Sequence, residues 1–122
     1  MKIIVFIMSF FSTIFGAFAQ TDNVIELLSP AEFKSCTNLK EVQLIDVRTS
    51  QEFNNGFINN ATNLDIYQKQ AFLEGLEYFD KEEPIYVYCQ VGGRSRSAAQ
   101  ILKKVGFKKI YDLKGGYQNY QR

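Results

Sequence analysis

Phe72, Leu73, Leu76 and Phe79 recur at helical spacing, as do Ala98, Ile101, Leu102 and Val105. Each set lays one apolar stripe along a helix. Around them stand short apolar runs, Val42 to Val47, Ile85 to Tyr88 and Lys109 to Leu113, whose length and continuity suit buried strands. Ser29-Pro30-Ala31-Glu32 joins an N-cap serine, a proline at the first helical position and a glutamate three residues past the cap, which predicts a helix ending near Cys36 to Asn38. Thr49 or Ser50 caps a further short turn through Glu52 and Phe53, stopped by Asn54-Asn55-Gly56, and Gly106 stands just past the end of the Ala98 helix. Strands alternating with helices predict an α/β fold, with a largely parallel central sheet and helices on both faces.

The first nineteen residues break this pattern. Lys2 is followed by an almost unbroken apolar run from Ile3 to Phe15, and Ala17-Phe18-Ala19 places small residues at alternate positions. That reads as a signal peptide over 1–19, cleaved after Ala19, and the apolar run is short for a membrane span of about 20 residues. The expected mature protein is exported, periplasmic or secreted, with no stable membrane anchor after cleavage. The remaining 20–122 form one expected domain, with its core over roughly 39–122, because two domains of this length would each bury too little. Losing Lys2 with the leader leaves 13 basic against 13 acidic residues. Such a balance argues against nucleic acid, which calls for a clustered basic surplus, and Lys103, Lys104, Lys108 and Lys109 read as a solvated helix end.

The chain has no histidine. That removes Ser-His-Asp and Cys-His triads, zinc-protease helices and Cys/His zinc fingers together. Two cysteines, Cys36 and Cys89, are too few for a structural zinc, and no metal or cofactor is expected. Their contexts differ. Cys89 ends a predicted strand and precedes Gln90-Val91-Gly92-Gly93-Arg94, which leads into a helix start at Ser95. Ligands of parallel α/β sheets gather beyond the carboxyl ends of the strands, and the free amides of a helix start attract negative charge. Gly92 and Gly93 let several N–H groups turn toward one point, so the loop amides and Arg94 favour a thiolate. Cys36 lies near a helix end with no such loop and reads as packing or as a partly exposed thiol.

Cys89-Gln90-Val91-Gly92-Gly93-Arg94-Ser95 resembles the Cys-x-x-Gly-x-Arg-Ser loop of single-domain rhodaneses. Leu44-Ile45-Asp46-Val47-Arg48 is similar to that family's Asp-Val-Arg strand, and Gly56-Phe57-Ile58 through Ala61, Asn63 and Leu64 to its Gly-His-Ile-x-x-Ala-x-Asn segment. Gly106-Phe107, Tyr111-Asp112-Leu113 and Gly115-Gly116 resemble its closing strand and turn. Phe57 stands where the family usually has histidine, and Tyr120 where tryptophan often follows the double glycine.

The resemblance implies a rhodanese-like fold and a sulfurtransferase that moves sulfane sulfur from a thiosulfate-like donor to a thiol or cyanide-like acceptor through a Cys89 persulfide. Cys89 is then the nucleophile, the amides from Gln90 to Ser95 the cradle, and Arg94 an anion contact or a brace of the loop. Asp46 and Arg48 fit a structural ion pair near the site better than an acid and base. Two rivals share the fold. One is a non-enzymatic sulfur carrier or binding module. The other is a phosphatase or arsenate reductase-like enzyme, whose Cys-x5-Arg loop is one residue longer than the four residues between Cys89 and Arg94.

Overall fold

Ser29 opens the first helix in the manner its sequence predicts. Its Oγ accepts the Glu32 N–H at 3.2 Å, and the Glu32 carboxylate accepts the Ser29 N–H at 3.0 Å. The computed structural model describes residues 23–121, so the expected leader over 1–19 lies outside the described residues. In chain order the elements are β1 (Ile25–Leu28), α1 (Pro30–Leu39), β2 (Gln43–Asp46), α2 (Ser50–Asn54), β3 (Thr62–Asn63), α3 (Lys69–Leu76), β4 (Ile85–Tyr88), α4 (Gly93–Lys104), β5 (Ile110–Leu113) and α5 (Gly116–Tyr120). No helix among the described residues is long and apolar enough to cross a membrane.

The five strands form one sheet in the order β1-β5-β4-β2-β3, and every pairing is parallel. All carboxyl ends therefore point to one edge. Alternation along the central strands divides the core into two layers. Ile45, Val47, Ile85, Val87 and Ile110 join Phe72 and Leu76 of α3 and Ala98, Ala99 and Leu102 of α4. On the other face Leu44, Tyr86, Tyr88 and Leu113 join Phe33 of α1, with Tyr117 and Tyr120 of α5 packed alongside. One layer is mainly aliphatic and the other largely aromatic, with Phe33 edge-on to both Tyr86 and Tyr88.

Three elements were not expected from the sequence. In β1 only Leu28 is buried, so its pattern is faint. It nevertheless pairs with β5 along its whole length, and Phe33 of α1 is fully buried. The core thus reaches back well before residue 39. The two-residue β3 and the five-residue α5 are too short for any periodicity to register. Leu73 departs from its expected place on the core face and is 38% exposed, while Phe79 lies in the turn after α3 and is partly buried.

Candidate functional site

Cys89 follows β4 at the center of the carboxyl edge of the sheet and is fully buried. The chain then turns through Gln90, Val91 and Gly92 into α4, and Gly92 caps that helix at φ +117°. A side chain is strained in that conformation. The turn brings the Gly92 N–H to the Cys89 Sγ, which accepts it at 3.0 Å. The Gly92 carbonyl faces inward, where the Arg96 N–H donates to it at 3.1 Å and the buried Ser95 hydroxyl at 3.2 Å. Val91 at the loop tip is 61% exposed. The loop is thus a floor holding sulfur, with a tip open to solvent.

The start of α5 closes the loop from below. Tyr117 N–H donates to the Cys89 carbonyl at 2.8 Å and Gln118 N–H to the Gln90 carbonyl at 3.1 Å. Gly116 makes this approach possible. A Cβ there would overlap the Gln90 carbonyl and stand 2.7 Å from the Cys89 oxygen, and the residue sits at φ +68°.

Asp46 and Arg48 meet as an ion pair beside the loop. Arg48 Nη2 lies 2.7 Å from Asp46 Oδ2, with side chains 3% and 0% exposed. The single Arg48 Nε–H is shared between both carboxylate oxygens. The rest of the guanidinium holds other segments: Nη1 donates to Gln90 Oε1 at 3.0 Å and Nη2 to the Gly56 carbonyl at 2.7 Å. It also lies over the Tyr117 ring, 4.4 Å from its center. With donors directed at Asp46, Gln90 and Gly56 and its face on Tyr117, Arg48 ties loop, strand end and α5 together. Asn63 adds two bonds from its amide, to the Asp46 and Arg48 carbonyls.

Arg94 takes the bracing role. Its Nη1 and Nη2 reach Glu52 Oε1 and Oε2 at 2.7 and 2.9 Å, the two-bond geometry that suits guanidinium to carboxylate. These bonds raise the Arg94 pKa further above its usual range. They also hold the Glu52 carboxyl down to about 2, helped by the Thr49 amide and hydroxyl against the opposing effect of burial. Glu52 is thus both the capping-box acid of α2 and the anchor of the loop arginine. Sequence reasoning placed Glu52 in the short turn capped by Thr49 or Ser50 and gave it neither role. Phe57, in place of the family's usual histidine, is 46% exposed and stacks on Phe53 with ring centers 4.2 Å apart.

Cys36 stands apart from all this. It is half-buried on α1, both cysteines are free, and its thiol bears on the Tyr86 hydroxyl. Burial first and the Cys36 hydrogen bond second push Tyr86 up to about 12. No group of His, Cys, Asp and Glu side chains among the described residues is placed to hold a metal ion.

The model of the rhodanese-like domain matches residues 29–122. The chain belongs to the rhodanese-like family. Among relatives, the thiosulfate sulfurtransferase GlpE of Shewanella oneidensis is 37% identical over 90 residues, covering 74% of this chain and 86% of that protein. The uncharacterized protein YqhL of Bacillus subtilis is 31% identical over 120 residues, covering 98% of this chain and 91% of YqhL. A tRNA uridine(34) hydroxylase of Pelagibacter ubique, 33% identical, matches 76% of this chain but only 31% of that enzyme. Among solved structures, a rhodanese-like domain protein from Staphylococcus aureus superposes with a TM-score of 0.69 at 28% identity, covering 78% of this chain and 90% of the other. This chain shares with that structure the rhodanese-like fold, a parallel sheet with flanking helices.

Proposed function

We propose that this rhodanese-like chain is a sulfurtransferase that carries sulfane sulfur on Cys89. One observation supports the reading above the rest: the Gly92 N–H meets the Cys89 sulfur at 3.0 Å where a parallel strand gives way to a helix start. An amide aimed at sulfur stabilizes negative charge there without a neighboring base, which suits a chain with no histidine. In the first step the Cys89 thiolate attacks the sulfane sulfur of a thiosulfate-like donor. A new S–S bond forms, the old one breaks, and sulfite leaves with the electron pair. In the second, a thiol or cyanide-like acceptor attacks the outer sulfur of the persulfide, and Cys89 departs as thiolate. Splitting the transfer in two is the ordinary gain of covalent catalysis. Similarity to GlpE enzymes at 35–37% identity favors the same class of donor. The four-residue spacing from Cys89 to Arg94 disfavors a phosphatase loop, and the bonding of Arg94 to Glu52 turns that side chain to bracing.

Thiosulfate treatment followed by intact mass measurement tests this directly. Wild type should gain about 32 Da, one sulfur, and a thiol reductant should remove it. Cys89→Ser should gain nothing and lose sulfur transfer altogether, since serine forms no persulfide, while Cys36→Ser should keep most of the activity. Added mass on Cys36, or retained in Cys89→Ser, refutes the assignment. Loading without turnover to any acceptor would instead favor a sulfur-carrying module.

A further inference from the structure

Asp112, on β5, points to the α4 face of the sheet beneath the Cys89 loop. It is 3% exposed, and its Oδ1 has no hydrogen-bond partner, unlike every other buried side-chain nitrogen and oxygen among the described residues. A buried carboxylate oxygen left without a partner is costly. From α4 the Ser95 hydroxyl and the Arg96 charge face this carboxyl. In register beside it stand Val87 on β4 and Leu27 on β1, both apolar. The α1 helix packs on the opposite face of the sheet with Leu113. Burial pushes the carboxyl up to about 6, while Ser95 and Arg96 pull it back.

Ser95 connects this carboxyl to the sulfur. It is fully buried, and its Oγ donates to the Gly92 carbonyl at 3.2 Å, which is long for a bond between two oxygens. A hydroxyl has a single hydrogen to give. The Gly92 carbonyl takes it in the structure, and the Asp112 carboxylate, which also bears on Ser95, is the second acceptor within reach. Gly92 is also the residue whose N–H meets the Cys89 sulfur.

We propose that Asp112 is a positioning residue for the Cys89 loop, acting through Ser95. Protonated, its carboxyl donates to Ser95 Oγ and leaves the Ser95 hydrogen on the Gly92 carbonyl, so the loop is pinned. Ionized, it releases its proton to solvent and draws the Ser95 hydrogen to itself, and the Gly92 carbonyl keeps only the Arg96 N–H. The kinetic consequence rests on the sulfurtransferase reading. The structural one does not.

The first test is a wild-type NMR titration from pH 5 to 8. The Asp112 carboxyl carbon and the Gly92 amide should move with one shared midpoint near 6, and in Ser95→Ala the Gly92 amide should stop following Asp112. The second compares sulfur loading from thiosulfate in Asp112→Asn, whose amide donates to Ser95 at every pH. The variant's kcat/KM relative to wild type should be near one at pH 5. By pH 8 it should rise to roughly three- to tenfold, the effect of about one hydrogen bond. In a Ser95→Ala background the ratio should stay flat. A silent Gly92 amide while Asp112 titrates, a flat ratio with Ser95 present, or the same rise without Ser95 overturns the proposal. If neither protein loads sulfur, the sulfurtransferase reading fails, and the Gly92 titration alone still decides the positioning role.

Discussion

Two ion pairs flank the Cys89 loop, and they differ in what holds them. Asp46 and Arg48 are two residues apart in sequence, wholly buried, and enclosed by further acceptors and rings from Gln90, Gly56, Tyr88 and Tyr117. Glu52 and Arg94 are 42 residues apart, with side chains 32% and 21% exposed, and join the rim of the loop to α2. In the first pair desolvation is complete, so its attraction must offset a large cost and the loss of either partner strands a charge. In the second, water already screens both charges and the attraction counts for less. One pair therefore fixes where the loop sits, and the other trims how tightly it is held.

Breaking the buried pair should give the largest effect. Arg48→Met leaves the Asp46 carboxyl buried with no counterion, at a cost of about 3–5 kcal/mol, read as a fall in the midpoint of denaturant unfolding at pH 7. Replacing both partners, Asp46→Leu with Arg48→Met, should recover much of that loss, because an apolar pair has no charge to strand. Sulfur loading should not recover with it, since Arg48 also holds the Gln90 side chain and the Gly56 carbonyl. A double variant that regains both stability and loading would show that Arg48 does no more than neutralize Asp46.

Asp112 sharpens the comparison by showing a buried carboxyl without such a partner. Its folded-state value of about 6 lies above its ordinary 3.8, so the folded protein holds this proton more tightly than the unfolded chain does. The stability it contributes is full below about 4 and is lost as pH rises through 6. A shift of that size corresponds to something on the order of 3 kcal/mol. Asp112→Asn should therefore be more stable than wild type at pH 7 and nearly equal at pH 4. Equal stabilities at both pH values in urea unfolding would remove burial of an ionized carboxylate as the cause.

How much of this was legible in sequence follows from the distance over which each feature is built. The Cys89 loop, the Ser29 capping box, the cap of α2 at Thr49 or Ser50 and the strands β2, β4 and β5 were readable because each is made by neighbors in the chain, where period and cap residues act. The Asp46 and Arg48 pair was readable for the same reason. Glu52 gave no sign of Arg94, because only the meeting of α2 with the start of α4 brings them together. Asp112 read as one more residue of a strand, since its burial is created by the sheet and α4. The edge strand β1 was hidden because three of its four residues keep contact with solvent, and the closing role of Gly116 exists only where α5 meets the loop.

The rim pair supplies the smallest effect and the cleanest separation of charge from shape. Glu52→Gln keeps the capping box, because glutamine serves that position as glutamate does, and it keeps an acceptor for one Arg94 donor. What it removes is charge. The partly exposed pair should cost no more than about 1 kcal/mol at pH 7, a far smaller drop than that of Arg48→Met. The wild-type carboxyl is held at about 2 against an ordinary 4.5, so its contribution is present above about 4.5 and fades as pH falls toward 2. The gap between variant and wild type should accordingly narrow from pH 7 to pH 3 in urea unfolding, and sulfur loading at pH 7 should fall only a few-fold, because Gly92 is set by Ser95 and Arg96 and not by Arg94. A gap that stays constant with pH would mean that Glu52 acts through shape and hydrogen bonds alone. A loss of loading as severe as that of Arg48→Met would mean that the rim pair, and not the buried one, fixes where the sulfur sits.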